Sequence, residues 1–440
     1  MHCKKQIVFL AVFFLGVAGC LYAESLSYDP YETDQEAMAQ APSTLQSILS
    51  HFPVYPFELL RWPIEKTLVM IENHSLDRKT RWVYNELVSR GIKPHFNVIN
   101  VMSPSYGADF DLVRLSGLSP RLHDTVAETW IHYSQDIQFT TGARGGLDNL
   151  FGLKLRTRAS IEYEDRPNEH FYGIGPDTSR GEGSVYATET TKLRGEAAYE
   201  CHPQFETKGF LGYDNVNVSG GHDGGRNQIG RGIFTEALTP GLRGDEILSL
   251  GGELKFDNRD QKENSTRGGL ARFAMSYHEG VSGSAARFLR YTGEASHYLS
   301  LGSPRRVLVG HLFAEYNDEL GHGIIPFHQM PMLGDYGAEP RLSHTLRGYD
   351  FNRFRDESAA LFNAEYRHNI WEYRLCKLDT VYFFDLGQVF GEVSEMQLHD
   401  FRESYGGGFR FSVANVPVLS IEVAHGDEGT NLYVKSKLPF

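Results

Sequence analysis

The chain has 440 residues, of which 43 are Lys or Arg and 56 are Asp or Glu, so its formal net charge is -13. An acidic chain is poorly suited to bind the phosphate backbone of a nucleic acid, and we expect no nucleic-acid partner. Two of the four cysteines, Cys3 and Cys20, lie near the amino terminus, which leaves Cys201 and Cys376 further along. This number excludes a disulfide framework. A single bond between Cys201 and Cys376 is compatible with an exported protein, but the two residues fall on well-separated predicted strands, and we expect both thiols to be free.

Residues 1–23 have the pattern of an export signal. Two lysines precede an apolar run at 7–19, and small residues follow it. Two processing routes stay open: cleavage after Ala23, or acylation of Cys20, which follows Val-Ala-Gly as in a lipobox. Cys20 is therefore a candidate lipidation site, and the alternative is that it is a small residue in a discarded peptide.

After this signal the sequence pattern changes once, from helical to strand-like, near residue 92. Residues 24–92 have helical character broken by prolines, and we expect a short periplasmic helical extension there. No segment after the signal has the roughly 18 uninterrupted apolar residues that a spanning helix requires, so a membrane protein of this sequence must cross with strands. We expect one further domain, a β-barrel of residues 93–440.

Beyond residue 92 the apolar pattern has a period of two. In residues 152–164 an apolar or small side chain alternates with a charged or polar one, as in a strand with two different faces. Long polar connections at 166–182, 220–245 and 318–357 alternate with short turns, which is typical of outer-membrane barrels and disfavours a soluble sandwich. Sixteen strands are predicted, near 94–103, 107–116, 124–133, 136–146, 151–165, 183–200, 205–219, 246–257, 268–280, 286–301, 304–317, 358–371, 377–391, 402–415, 417–425 and 431–440.

Four segments carry a resemblance to a known family. They are Leu346–Tyr349 (LRGY) ahead of the strand with Asn363–Arg367, Phe383–Gly387 (FFDLG), Lys255–Gly268 (KFDNRD to TRG) and Phe171–Thr178. Their order and spacing are similar to those of the BamA/TamA superfamily, the bacterial surface-antigen barrels, over about residues 93–440. The resemblance implies an all-β fold in the bacterial outer membrane: a 16-stranded antiparallel transmembrane β-barrel with a short helical N-terminal extension and an inward-folded loop.

Strand parity identifies acidic side chains that face the lumen. Phe383, Asp385 and Gly387 share one face, opposite an apolar face suited to lipid, and Glu365 lies opposite the apolar face of the preceding strand. The resemblance implies that Arg347 on the long loop reaches these acids, since a guanidinium group can hold a carboxylate through two parallel hydrogen bonds. The alternative is that Arg347 is an exposed loop cation.

The expected loop-anchoring set therefore has seven members. A glycine beside the arginine allows the backbone to turn tightly against the barrel wall. The set comprises Arg347, Gly348, Tyr349, Glu365, Phe383, Asp385 and Gly387.

The resemblance also implies a function, with one departure from the family. Members that insert or secrete proteins usually carry periplasmic POTRA modules, and residues 24–92 are too few and too helical for one. The implied activity is insertion or transport of protein or lipid clients by lateral opening of the seam between strands 94–103 and 431–440. Pro94 and Pro439 remove ladder donors from those strands, although ordinary fraying of chain ends would account for the same features.

The alternatives are a passive channel or a structural barrel. We expect no enzyme, because no Gly-x-Ser-x-Gly elbow occurs, and no metal or cofactor, because no closely spaced His/Cys/Glu set has the pattern of a zinc site. The expected partners are outer-membrane lipid and unfolded outer-membrane protein clients, and the barrel is expected to be monomeric.

Overall fold

The computed structural model describes residues 84–97, 105–117, 124–134, 138–221, 229, 234–235, 238–335, 343–435 and 438–439. The chain divides into two units, Met1–Val88 and Ser89–Phe440. Of the first unit, only residues 84–88 are described, and they are helical. The predicted export signal with Cys20, and most of the predicted extension 24–92, lie outside the described residues.

Sixteen strands of the second unit form one antiparallel sheet in which each strand pairs with the next along the chain. These strands are β1 (Ile92–Asn97), β2 (Ser105–Asp111), β3 (Thr125–Ser134), β4 (Gln138–Leu147), β5 (Leu155–Phe171), β6 (Ser184–His202), β7 (Phe205–Gly220), β8 (Gly244–Asp257), β9 (Gly268–Val281), β10 (Arg287–Ser300), β11 (Arg306–Glu319), β15 (Ser358–Tyr373), β16 (Cys376–Phe390), β17 (Arg402–Val413), β18 (Val416–Gly426) and β19 (Gly429–Lys435). Three two-residue strands form a second sheet inside the connection between β11 and β15: β12 (Met332–Leu333), β13 (Ser343–His344) and β14 (Phe354–Arg355).

All sixteen predicted strands are present, and the predicted fold class is confirmed. Several predicted bounds are wrong. The strand predicted at 107–116 ends at Asp111, whose side chain accepts a hydrogen bond from the backbone N–H of Arg114 at 3.1 Å and caps a one-turn helix, Leu112–Leu115. The strand predicted to end at residue 440 ends at Lys435.

The strand predicted at 151–165 is shifted in the structure. Asn149 and Phe151 have positive φ angles of 53° and 58°, which breaks the extended chain and delays β5 to Leu155. At its other end β5 continues to Phe171, because its pairing with β6 resumes beyond a bulge between Arg166 and Glu169.

The two faces of the sheet have opposite chemistry. On β8, the side chains of Leu248, Leu250 and Leu254 are 48%, 64% and 62% exposed on the outer face. Ser249, between two of them, is buried on the inner face. The inner face of the barrel also buries charged residues such as Glu365. An apolar outside around a polar inside is the reverse of a soluble domain and is what a lipid-embedded barrel requires.

None of the helices among the described residues is long and apolar enough to cross a membrane.

The two rims of the barrel carry different connections. One rim has short turns, such as residues 374–375 between β15 and β16 and residues 414–415 between β17 and β18. The other has the long connections 172–183, 221–243 and 320–357. Since long loops of outer-membrane barrels are extracellular, this second rim is the extracellular one.

The described parts of the longest connection, residues 320–335 and 343–357, fold into the lumen and are called the inner loop below. Its residues Leu333, Leu346 and Phe354 are buried in one apolar cluster with the wall residues Phe313 and Leu361. The predicted inward-folded loop is therefore confirmed.

The hydrogen-bonded order begins with β1 and ends with β19. In the parts of these two strands that the structure describes, no ladder joins one to the other. β1 and β19 are therefore the two edges of the described sheet, and the place where a closed barrel brings these two strands together is called the junction below.

We predict that the unboiled protein in mild detergent migrates faster on a denaturing gel than the boiled protein. Strands paired along their whole length resist detergent, and boiling is needed to separate them. Gel migration before and after heating, on protein recovered from outer membranes, measures this. Identical migration together with recovery in the soluble fraction would contradict the fold.

Candidate functional site

Arg347 of the inner loop is completely buried and is bound by three carboxylates. Its Nε and Nη2 atoms each donate a hydrogen bond of 2.7 Å to a different oxygen of Asp385. Its Nη1 atom donates to Glu365 at 2.7 Å and to Glu422 at 3.2 Å. The two-point contact with Asp385 fixes the plane of the guanidinium group as well as its position. The three acids belong to β15, β16 and β18, so one loop side chain connects three strands of the wall.

The wall beneath this arginine is shaped by the other two members of the Phe383-x-Asp385-x-Gly387 motif. The centroid of the Phe383 ring lies 3.5 Å from the guanidinium carbon of Arg347, which adds a cation–π contact. At Gly387 a Cβ atom would lie 3.0 Å from Leu333 and 3.2 Å from Leu346, both on the inner loop. Phe383 thus supplies a ring on which the guanidinium group lies, Asp385 supplies the carboxylate, and Gly387 leaves space for the loop.

Gly348 and Tyr349 complete the loop side of the contact. Gly348 has φ +89°, and a Cβ atom there would lie 2.9 Å from the backbone nitrogen of Gly426 on β18. Glycine is therefore required both for the backbone angle and for the close approach. The buried Tyr349 donates its hydroxyl hydrogen to the backbone oxygen of Glu403 at 2.9 Å. All seven residues predicted from the sequence meet at this place.

Residues that the sequence analysis missed complete the electrostatics. Arg410 donates to Glu365 at 2.8 and 2.9 Å and to Glu422 at 2.7 Å, and Arg367 donates to Glu365 at 3.0 Å. We call this group the charge cluster: Arg347, Arg367, Arg410, Glu365, Asp385 and Glu422. Its three guanidinium groups match its three carboxylates, so the buried group is neutral as a whole. Arg410 and Glu422 occupy inward positions of their strands, but strand parity alone does not show which inward residues lie within reach of the loop.

The loop residues in the lumen have definite charge states. Burial alone would lower the pKa of Arg347, but Asp385, Glu365 and Glu422 outweigh it and raise that pKa above its usual range. Burial lowers the pKa of His344 to about 4, so this residue, which stacks on Phe313 with ring centroids 3.4 Å apart, is neutral at physiological pH. The inner loop therefore presents a permanent cation to the acids and an uncharged ring to the apolar wall.

The inner loop is also bound to the last strand and to the chain just after it. The backbone N–H of Gly348 donates to the hydroxyl of Tyr433 at 2.9 Å, and the hydroxyl of Thr345 donates to the backbone oxygen of Pro439 at 3.1 Å. An ion pair of 3.4 Å joins Lys435 to Asp335. Sequence reasoning gave no sign of these contacts. The contacts of Thr345 and Gly348 lie within two residues of Arg347, and the ion pair of Asp335 attaches the loop to β19 at a second place.

The other end of the inner loop reaches the opposite wall. Arg355 is buried among the rings of Phe171, Tyr186 and Phe327, with its guanidinium carbon 5.2 to 5.7 Å from their centroids. Its Nη2 atom donates to the Tyr186 hydroxyl at 2.9 Å. Phe171 is the first residue of the Phe171–Thr178 segment identified in the sequence, so this segment contacts the loop on the β5–β6 side of the lumen. The loop spans the lumen between two attachment points.

Among the described residues, no group of three or more His, Cys, Asp or Glu side chains is placed to hold a metal ion. Both described cysteines, Cys201 and Cys376, are free thiols.

We predict that Arg347→Ala destabilises the barrel by about 3–5 kcal/mol, because it leaves the buried Asp385 without its cation and the cluster with one carboxylate in excess. The denaturant midpoint of the refolded protein measures this, and single-channel conductance should rise as the loop loosens. Arg305→Ala, an exposed arginine on a short turn, is the matched control and should stay within about 0.5 kcal/mol.

The double exchange Arg347→Asp with Asp385→Arg should recover part of that loss if the two residues act as a pair. An Arg347→Ala barrel as stable and as closed as the wild type would contradict the anchoring role.

Comparisons with known proteins identify the family of the barrel and its fold. The model of the Omp85 superfamily domain matches residues 131–428, more than half of the chain. No curated protein matches the sequence. Among solved structures, BamA from Haemophilus ducreyi lacking POTRA domains 1–3 is 13% identical, with a TM-score of 0.54 over 76% of this chain and 66% of that one.

Two further structures are more distant. CdiB from Escherichia coli is 11% identical with a TM-score of 0.48, and CdiB from Acinetobacter baumannii is 12% identical with a TM-score of 0.46. Each match covers 76% of this chain, and it covers 58% and 55% of those chains respectively. The chain spans less than two thirds of each of the three solved chains, and at these identities the likeness is one of fold. With the family model matched over most of the barrel, the chain belongs to the Omp85 superfamily and is a β-barrel of the bacterial outer membrane.

Proposed function

We propose that this barrel inserts or transports protein or lipid clients in the outer membrane by opening the junction between β1 and β19, and that the inner loop controls this opening. The observation that carries the proposal is the double attachment of the loop. Arg347 is bound within the charge cluster, and the next two residues, Gly348 and Tyr349, are hydrogen-bonded through their backbones to Tyr433 of β19.

The attachment couples two events because the shared residues are adjacent in the chain. Movement of Arg347 away from Asp385 also displaces Gly348, whose N–H donates to Tyr433. The acid partner Glu422 lies on β18, the strand that pairs with β19, and faces Tyr433 in the ladder. Loss of the loop therefore removes support from both strands at the edge of the sheet.

The last strand depends on such support more than interior strands do. β19 has 7 residues, against 16 in β15, and its ladder with β18 is correspondingly short. First and last strands also meet without a covalent turn to hold their register. A short edge strand with external bonds to the loop is suited to open when those bonds are released.

The alternative function is a passive channel or a structural barrel. The loop crosses the lumen and is bound to both walls, through Arg347 and Arg355. This arrangement favours a closed barrel over a permanently open pore. A large, stable conductance of the wild-type protein in planar bilayers would favour the passive channel.

We propose that residues 24–92 are not a POTRA module, so clients would reach the barrel by another route. Depletion of the protein, followed by an inventory of outer-membrane proteins and lipids, identifies the class of client. An unchanged inventory would contradict a role in assembly.

We predict that a disulfide across the junction abolishes the cellular function and that a reductant restores it. Cysteine pairs combine one position from 92–95 with one from 431–435, in a background with Cys201→Ser and Cys376→Ser. The control pair Leu299→Cys with Leu308→Cys locks β10 to β11, which face each other in the interior of the sheet. If the junction-locked barrel complements a depletion strain as well as the control does, lateral opening is excluded.

We also predict that Tyr433→Phe raises conductance and lowers stability by about 1 kcal/mol, because the phenol hydroxyl bonds both to Gly348 and to the backbone oxygen of Tyr349. Tyr405→Phe is the matched control, since the Tyr405 side chain is 57% exposed on the outer face. Equal conductance of the two variants would show that Tyr433 does not hold the loop to β19.

A further inference from the structure

The outer faces of β7 and β8 change from apolar to polar at one height near the extracellular rim. On β8 the exposed Leu250 and Leu248 are followed toward the rim by Glu246. Tyr213 of β7 lies opposite Leu248 in the ladder, and its hydroxyl donates to Glu246 at 2.8 Å. A tyrosine with its ring among leucines and its hydroxyl on a charged group marks the boundary between hydrocarbon and headgroups. The residues just above it are therefore at the level of the outer-leaflet headgroups.

A cavity of about 370 Å³ opens at this level. It lies between the rim ends of β7 and β8 and the β9–β10 turn, residues 281–285. Its volume falls within the ~300–1,000 Å³ of typical small-ligand sites. Its lining is mostly polar, with side chains of Asn215, Asn217, Arg243, Asp245, Glu246 and Ser282.

The walls of the cavity are held in place by hydrogen bonds. The buried carboxylate of Asp245 is bound by the hydroxyl of Ser284 at 2.6 Å and by Nε2 of His328 at 3.1 Å. Ser282 donates to Glu246 at 2.7 Å and has a positive φ of 55°, an unfavourable angle for a residue other than glycine. A strained turn kept by hydrogen bonds beside an open polar cavity is a preformed site.

We propose that this cavity binds the saccharide part of a glycolipid in the outer leaflet. Neighbouring hydroxyl groups of a sugar both donate and accept hydrogen bonds, and the lining offers amides that do both, a carboxylate that accepts and a guanidinium group that donates. The exposed leucines directly below, Leu211, Leu248 and Leu250, form a surface along which the acyl chains of the same molecule lie. The phosphate of a glycerophospholipid would bind the guanidinium group, but most of the other polar side chains of the cavity would have no hydrogen-bond partner in such a lipid.

The test uses the full barrel in mild detergent with purified lipopolysaccharide, and with phosphatidylglycerol as an anionic lipid without a saccharide chain. Native mass spectrometry counts retained lipid, and titration gives the affinity. We expect retention of lipopolysaccharide and not of phosphatidylglycerol. The double variant Asn215→Ala with Asn217→Ala should bind lipopolysaccharide about tenfold more weakly, since two hydrogen-bonding amides are lost.

Glu403→Ala is the matched control, because Glu403 is exposed near the same rim on the outer face of β17, far from the cavity in the strand order. It should bind lipopolysaccharide as the wild type does. Gel migration before and after heating verifies that each variant is folded, and Arg243→Gln replaces the double variant if that one fails to fold. Equal affinity of wild type and cavity variant for lipopolysaccharide, or equal retention of phosphatidylglycerol by the wild type, would overturn the proposal.

Discussion

A guanidinium group that leaves water loses its hydration, and this cost is recovered only if carboxylates meet it with good geometry. The inner loop depends on this constraint at Arg347, which has no exposed surface and is bound by Asp385, Glu365 and Glu422. Arg410 shares two of those acids and Arg367 binds Glu365, so the cluster has three cations for its three acids. Loss of any member leaves an unmatched buried charge. The buried charges are therefore matched only when the loop holds Arg347 in this position, and any other position of the loop costs free energy.

The rest of the lumen is arranged around that position. Once Arg347 is held, Gly348 lies against β18 and its N–H donates to Tyr433. Leu346 packs against the inward-facing apolar residues Phe313 and Leu361. Arg355, eight positions further along, is held differently, among aromatic rings and with no acid bound to it in the described hydrogen bonds. The loop is thus anchored by charge near the last strand and by aromatic packing near β5 and β6. Of the two attachment points, the charged one at Arg347 is the one that is connected to β19, the edge strand of the sheet.

Strand parity explains why part of the site could be predicted from the sequence. A period of two places Asp385 and Glu365 inside as soon as the apolar faces of their strands are recognised, and the LRGY motif supplies the arginine by resemblance. Parity alone does not tell which inward residues of other strands come within reach of a loop. Arg410, Glu422 and Tyr433 were therefore missed, since their role depends on the path of the loop across the lumen.

Local chemistry explains the errors in strand bounds. A strand was predicted to continue through residues 112–115, but the side chain of Asp111 caps a one-turn helix there, which competes with strand pairing. At the end of the chain the alternation of residues 431–440 suggested one long strand, whereas pairing with β18 stops at Lys435. The carbonyl of Pro439 instead accepts a hydrogen bond from the inner loop. Period-two patterns give the faces of strands well and their ends poorly.

The most direct test of the coupling between inner loop and last strand is hydrogen–deuterium exchange of the wild type and of Arg347→Lys in mild detergent. Lysine keeps the charge but cannot make the two-point contact with Asp385, so the loop loosens without loss of the cation. The account predicts faster amide exchange both in residues 343–355 and in residues 429–435, with β8 unchanged. Faster exchange in the inner loop while β19 stays as protected as in the wild type would contradict it.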